Sequence, residues 1–144
     1  MKTPHEEKTK LIAKEFMRES MRTHYSYNFS WLDRPIIQYP QDIIATQELI
    51  WSVKPDIIIE TGIAHGGSLI FSASMLALLD HSDAFENKLP IDPQKPKRKV
   101  VGVDIDIRDH NREALDLHFL RNRLELIQGS SIDPLIVKKV KSHL

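Results

Sequence analysis

The spacing of apolar residues changes period several times along this chain. Over residues 5–22 it is helical: Ile12 and Phe16 lie four apart, as do Ala13, Met17 and Met21. This predicts an amphipathic helix with a narrow apolar stripe. Lys10, Lys14, Glu15, Arg18, Glu19 and Arg22 fill its other faces. That mixture of charge argues for a packing or oligomer helix rather than one lying on a membrane. The next run, YSYNFSW, has period two, so an extended backbone would put Tyr25, Tyr27, Phe29 and Trp31 on one face. Such a row serves either as a stacking platform for bases or sugars or as an arm burying its rings on the main body. The second reading is favoured. DRPIIQYPQD, interrupted by Pro35 and Pro40, reads as an irregular connection.

Helical spacing returns from Gln41 to Val53, where Ile43, Ile44, Ile50 and Trp51 share a face, and Lys54-Pro55 ends it. DIIIE then forms a β-branched run without alternation, as expected of a strand covered on both faces of a parallel sheet. SLIFSASMLALL is apolar or small on nearly every side and predicts a buried helix. VVGVDID and RLELIQG read as a second and third strand, separated by a helix in RDHNREALDLHF. SSIDPLIVKKVKSHL opens a last helix, with Asp133 at its N-cap and Pro134 at its first position. Residues 80–99 carry three prolines and end in Lys95, Lys97, Arg98 and Lys99. They read as a solvated insertion in preference to a phosphate-gripping loop. The order helix, β, α, β, α, β, α implies an α/β fold with a parallel sheet and right-handed crossovers.

Composition narrows the function classes. With 144 residues the chain is one domain or part of one, and 20 basic residues balance 20 acidic ones. No basic excess supports a nucleic-acid partner. The absence of cysteine excludes disulfide and thiolate chemistry and fits a reducing compartment. MKTPHEEKTK has no apolar signal region, and no apolar run reaches the ~18 residues of a membrane span. The cytoplasm is the expected location.

The chemistry concentrates in ETGIAHGGS, which holds three of the five glycines directly behind the first strand. Ligands of open α/β sheets bind at the carboxyl ends of the strands. Gly62 would allow a sharp turn, and Gly66 and Gly67 would let a ligand approach backbone N–H groups at the helix start. The spacing G-x-x-x-G-G is not the dinucleotide fingerprint, and no Gly-Lys-Ser/Thr follows to make a P-loop. The preceding acid, Glu60, would repel pyrophosphate but suits a cationic group, such as the amino group of an amino-acid-bearing nucleoside. Asp104 ends the second strand, where a ribose-binding acid belongs. Its distance from Gly62, 42 residues against about 20 in a bare unit, is explained by the 80–99 insertion. Ser130 and Ser131 end the third strand, where an adenine edge would lie. Together the three strand ends point to S-adenosylmethionine. Singly, each has a plainer reading: Glu60 as a cap or ion-paired acid, Asp104 or Asp106 as a helix cap (Asp106 the better candidate), the serines as turn residues. His65 reads as a solvated loop histidine. No histidine pair has helical metal-motif spacing, so no metal is assigned.

The pattern E-x-G-x-x-x-G-x-S at Glu60, Gly62, Gly66 and Ser68 resembles that of small-molecule O-methyltransferases. More narrowly, PIIQYPQDI, IIETGIAHGGSLIFSASML, GVDIDIRDHNR and IQGSSIDP resemble the cephalosporin hydroxylase / rhamnosyl O-methyltransferase family, from about residue 25 onward. The resemblance implies a Rossmann-like class I methyltransferase fold that binds S-adenosylmethionine. Glu60 and Gly62 would line the methionine end, with Ala64, Gly66 and Ser68 in the same cofactor loop. Asp104 would hold the ribose and Ser131 would face the adenine. Asp33 stands where the family's pattern has glycine. The resemblance also implies further strands bearing acids for a divalent metal such as Mg, so the chain is expected to be truncated after the third parallel strand, with that metal confined to a full-length protein. The expected organisation is an N-terminal helix and aromatic arm over 1–40, then the N-terminal half of the cofactor-binding domain over 41–144. The expected activity is O-methyl transfer to a hydroxyl of a sugar, glycolipid or small natural product, within lipid or polysaccharide biosynthesis. No residue is assigned as its catalytic base. The alternatives are a non-catalytic cofactor-binding or assembly fragment, self-association included, and, ranked lower, antibiotic hydroxylation. A nicotinamide dehydrogenase is disfavoured by the glycine spacing.

Overall fold

A computed structural model describes residues 4–144. The first three residues, part of the N-terminus read above as free of a targeting signal, lie outside the described residues. In chain order the elements are α1 (Pro4–Arg22), β1 (Phe29–Trp31), β2 (Arg34–Ile36), α2 (Pro40–Val53), β3 (Ile57–Thr61), α3 (Gly67–Asn87), β4 (Lys99–Asp104), α4 (Asp109–Asp116), β5 (Leu124–Gln128) and α5 (Pro134–Lys141). The sheet β3-β4-β5 is parallel throughout, with Glu60 opposite Gly102 and Asp104 opposite Gln128. This is the expected Rossmann-like α/β arrangement through its third strand.

Successive residues of β4 feed two cores. Val100 joins Leu69, Ile70, Leu76 and Leu79 of α3 on one face, while Val101 and Val103 pack with Ile127 and with Ile136 and Val140 of α5 on the other. Gly102 lets α3 approach closely, since a Cβ there would meet the tip of the Leu69 side chain at 2.9 Å and make it shift. The strand at the sheet's edge departs from expectation. Ile59 of β3 is 46% exposed, and β3 has a neighbour on one side only. Asp133 caps α5 as expected, accepting from the Leu135 amide at 2.8 Å with Pro134 beside it. Asp106 caps nothing: α4 begins behind Arg108 with no side-chain cap.

The N-terminal third corrects several readings. Residues 34–36 are a strand, not an irregular connection. They pair antiparallel with β1 in a hairpin whose turn residues, Leu32 and Asp33, have φ of 45° and 66°, the left-handed pair of a type I′ turn. Asp33 thus occupies a position that favours glycine. The aromatic row does not share one face, because Tyr25–Tyr27 is a 3-10 turn entered through a left-handed His24. Tyr25 packs edge-on against Phe16 and Phe29, and Trp31 against Phe71 of α3, while Tyr27 stays exposed. Trp31 also donates to Ser74 Oγ at 3.0 Å. The stripe of α1 is largely uncovered, with Ile12, Phe16 and Met21 exposed. On α2, Ile50 is buried but Ile44 and Trp51 are not.

The segment read as an insertion begins late. The α3 helix runs on to Asn87, so residues 80–87 are helical and the loop proper is shorter. Arg98 is not solvated. It is 5% exposed and donates to Asp80 at 2.7 Å, beside Asp83 at 2.9 Å. Arg123 reaches the other oxygen of Asp80 at 2.6 Å. Among the described residues no helix is long and apolar enough to cross a membrane.

Candidate functional site

A cleft of about 320 Å³ opens where β3 ends. Its walls are Glu60 and Thr61, the loop 62–65, Ser68 and Phe71 of α3, the end of the hairpin, and Asp42, Ile43 and Thr46 of α2. Four residues expected at a cofactor site, Glu60, Gly62, Ala64 and Ser68, line it, as does His65. Gly66, Asp104 and Ser131 do not. Ser131 lies exposed beyond β5.

Glu60 points to the α3 face and accepts a hydrogen bond from Ser68 Oγ. Partial burial raises its pKa above the usual carboxylate range, and the Ser68 bond only partly offsets this. Among the described residues no cationic side chain pairs with Glu60, and the N-cap of α3 is Gly66, so neither plainer reading of this acid holds. Asp104 is differently placed. It lies on the same face, since Gly102 faces Glu60 across the ladder and strand side chains repeat every two residues. Its Oδ2, however, accepts from the Ile63 amide at 2.6 Å and the Ala64 amide at 3.3 Å, and its Oδ1 from Asp106 at 3.0 Å. Burial opposes its charge, but these backbone bonds outweigh burial and hold its pKa below the usual range. In this structure the Asp104 carboxylate braces the glycine loop.

The glycines divide their work. Gly62, φ 86°, turns the chain in open space. Gly66, φ 83°, has its Cβ position taken by Leu115 at 2.6 Å, and its N–H donates to Ile63 O at 2.8 Å. A Cβ on Gly67 would strike the Pro35 carbonyl and the Ile36 Cα. Gly66 and Gly67 therefore serve close packing of α3 against α4 and the hairpin, and Gly67 also lines the cleft. Gly67 and Ser68, the first two residues of α3, put the start of the helix at the cleft.

Two residues with no assigned role enter here. Arg34 donates to the His65 carbonyl from Nε (3.0 Å) and Nη2 (2.6 Å), and Nη2 also reaches Asn111 Oδ1 (3.1 Å). Asn111, 3% exposed, donates from Nδ2 to the Ala64 carbonyl at 2.9 Å. Burial lowers the pKa of Arg34. The available signal was that Arg34, Asp42 and Asn111 sit in or beside the strings DRPIIQYPQDI and GVDIDIRDHNR as polar residues that neither period explains. No group of three or more His, Cys, Asp or Glu able to hold a metal ion occurs among the described residues.

Comparison with known proteins places these elements in context. The family model described as Rhamnosyl O-methyltransferase/CmcI matches residues 23–144. No curated protein matches the chain. A solved structure described as "cmcI-N160 SAH" aligns at 19% identity and a TM-score of 0.46, over 71% of this chain and 43% of that one. The present chain thus spans less than half the length of that structure.

Proposed function

The chain belongs to the rhamnosyl O-methyltransferase/CmcI family, and on that premise we propose that its cleft binds S-adenosylmethionine for methyl transfer to a hydroxyl acceptor, in the cytoplasm. One observation carries the reading. Glu60 is a partly buried carboxylate that faces a cleft, carries a raised pKa and lacks a cationic partner among the described residues. Its desolvation is compensated once a cationic ligand group sits beside it. In this reading Glu60, Gly62, Ala64 and Ser68 receive the amino-acid end, with Gly66 shaping their loop, and Asp104 and Ser131 belong to the nucleoside side along the β4 and β5 tips. The bound cofactor supplies an electrophilic methyl group. The chain's own residues fix its orientation and keep the glycine loop in shape, so the contribution made here is positioning. The acceptor is a sugar, glycolipid or small natural product, with a place in lipid or polysaccharide biosynthesis.

The exposed β3 edge at Ile59 favours a second arrangement of the same activity, in which this unit supplies cofactor binding and another segment or partner completes the acceptor side. Titration calorimetry tests the shared premise. S-adenosylmethionine should bind in the micromolar range and about tenfold more weakly to Glu60→Gln, the scale of a lost charge-assisted contact. Binding should tighten as pH rises through the Glu60 pKa, because only the ionised carboxylate pairs with a cation. Tighter binding of NAD, or an unchanged affinity in Glu60→Gln, would overturn the reading.

A further inference from the structure

We infer that Arg34 and Asn111 are positioning residues for the cleft, acting as one clamp that sets the glycine loop from outside the strand–loop–helix unit. The inference deepens the proposed function and rests on it for the identity of the ligand.

The loop has few ways to hold itself. Ala64 sits at φ 48°, a conformation that costs a non-glycine residue roughly 1–2 kcal/mol. Gly62 contributes no side-chain contact. What fixes the loop comes from elsewhere. Its amides at Ile63 and Ala64 are gathered by Asp104. Its carbonyls at Ala64 and His65 are gathered by Asn111 and Arg34, which are joined to each other at 3.1 Å. The acceptor therefore holds the peptide groups 62–63 and 63–64, and the donors hold the next two, 64–65 and 65–66. The guanidinium suits this task because its fork reaches one carbonyl from two nitrogens while a third contact joins Asn111. A lysine carries the charge without the fork. Among the described residues no carboxylate pairs with Arg34, so its charge is directed at the loop carbonyl and the Asn111 amide oxygen. Burial of Asn111 makes its amide an expensive group to leave unpaired.

The hairpin turn, in consequence, belongs to the cleft's machinery. Residues 32–36 carry Arg34 and also seat against α3, where Gly67 leaves room only for the Pro35 carbonyl. The N-terminal arm and the glycine loop thus form one mechanical unit. Arg34 is not among the residues lining the cleft, so it acts through the loop and touches no ligand in this arrangement.

The test uses the full chain with Arg34→Ala, Arg34→Lys and Asn111→Ala, and two readouts. Amide hydrogen exchange of residues 62–66, measured without ligand, should speed up about tenfold or more in all three variants while the β4 and β5 amides keep their protection. The dissociation constant for S-adenosylhomocysteine should rise about tenfold in each, the Arg34→Ala/Asn111→Ala pair should be no worse than the worse single variant, and added guanidinium should restore part of the loss in Arg34→Ala. Unchanged loop exchange in Arg34→Lys and Asn111→Ala would overturn the clamp, as would an affinity loss that tracks global unfolding and resists rescue. If Arg34→Ala does not fold, the other two single variants decide. If the wild-type chain binds no S-adenosylhomocysteine, the ligand assignment falls, while loop exchange still decides for or against the clamp.

Discussion

The two ends of the β3-β4-β5 sheet each hold a charged cluster, and the two are built on opposite terms. At the amino ends of the strands, Asp80 accepts from Arg98 and Arg123, Asp83 adds a second acid to Arg98, and the side chains of Asp80, Arg98 and Arg123 are 10%, 6% and 8% exposed. At the carboxyl ends, Glu60 has a hydroxyl for company and an open cleft in front of it. The first cluster is closed. Burial works against the Asp80 charge, but the hydrogen bonds from Arg123 and Arg98 outweigh it and hold the pKa low. The second is open, and burial holds the Glu60 pKa high. A charge that the fold has already matched is structural. One that it has desolvated and left unmatched has room for a ligand.

The largest effect should come from breaking the closed cluster. Asp80→Ala leaves buried Arg123 without a carboxylate among the described residues and leaves Arg98 to Asp83 and Asp56, and should cost about 3–5 kcal/mol in urea unfolding at neutral pH. Because the folded pKa of Asp80 lies below its unfolded value, its stabilisation is present above the unfolded pKa and is lost as pH falls through the folded one. The variant should therefore lose less stability than wild type on acidification. A deficit under about 1 kcal/mol would erase the contrast between the two ends.

The open end should respond with the other sign. The folded pKa of Glu60 lies above its unfolded value, so its favourable contribution is complete below the unfolded pKa and disappears as pH rises through the folded one. Glu60→Gln should melt with wild type in acid and above it at neutral pH, by less than about 1 kcal/mol, while binding S-adenosylmethionine more weakly. A variant less stable than wild type at neutral pH would make Glu60 a structural acid. The smallest expected change lies at the hairpin turn. Asp33→Gly relieves a φ of 66° and should stabilise by under about 1 kcal/mol in thermal unfolding.

Legibility followed the range of the interactions. The strands β4 and β5, the buried α3 and the Asp133 cap were readable because period and capping are local. The end of α3 was not. Asp80 and Asp83 look like solvated loop residues until Arg98 and Arg123, 18 and 43 residues past Asp80, are seen to need them. The alternation of YSYNFSW was real, but the left-handed His24 ended the extended backbone that would have expressed it. The glycine loop was located from its sequence, with Glu60, Gly62, Ala64 and Ser68 at one cleft. What Gly66 and Gly67 face was not legible, because Leu115 and Pro35 arrive from distant segments. Asp104 illustrates the same limit. Its strand-end position was clear, and its engagement with the Ile63 and Ala64 amides was not. Arg34 was invisible as a clamp, its partners His65 and Asn111 being 31 and 77 residues away.

That last separation bears on how the chain matures. A ribosome delivers Arg34 early and Asn111 much later, so a nascent chain passes through a stage in which β3 and the glycines have emerged but the Ala64 carbonyl still awaits its donor. Contacts between distant segments form slowly. The cleft is in this sense finished only after β4 and the start of α4 have been made, although the segment that finishes it at one end is among the first to be made.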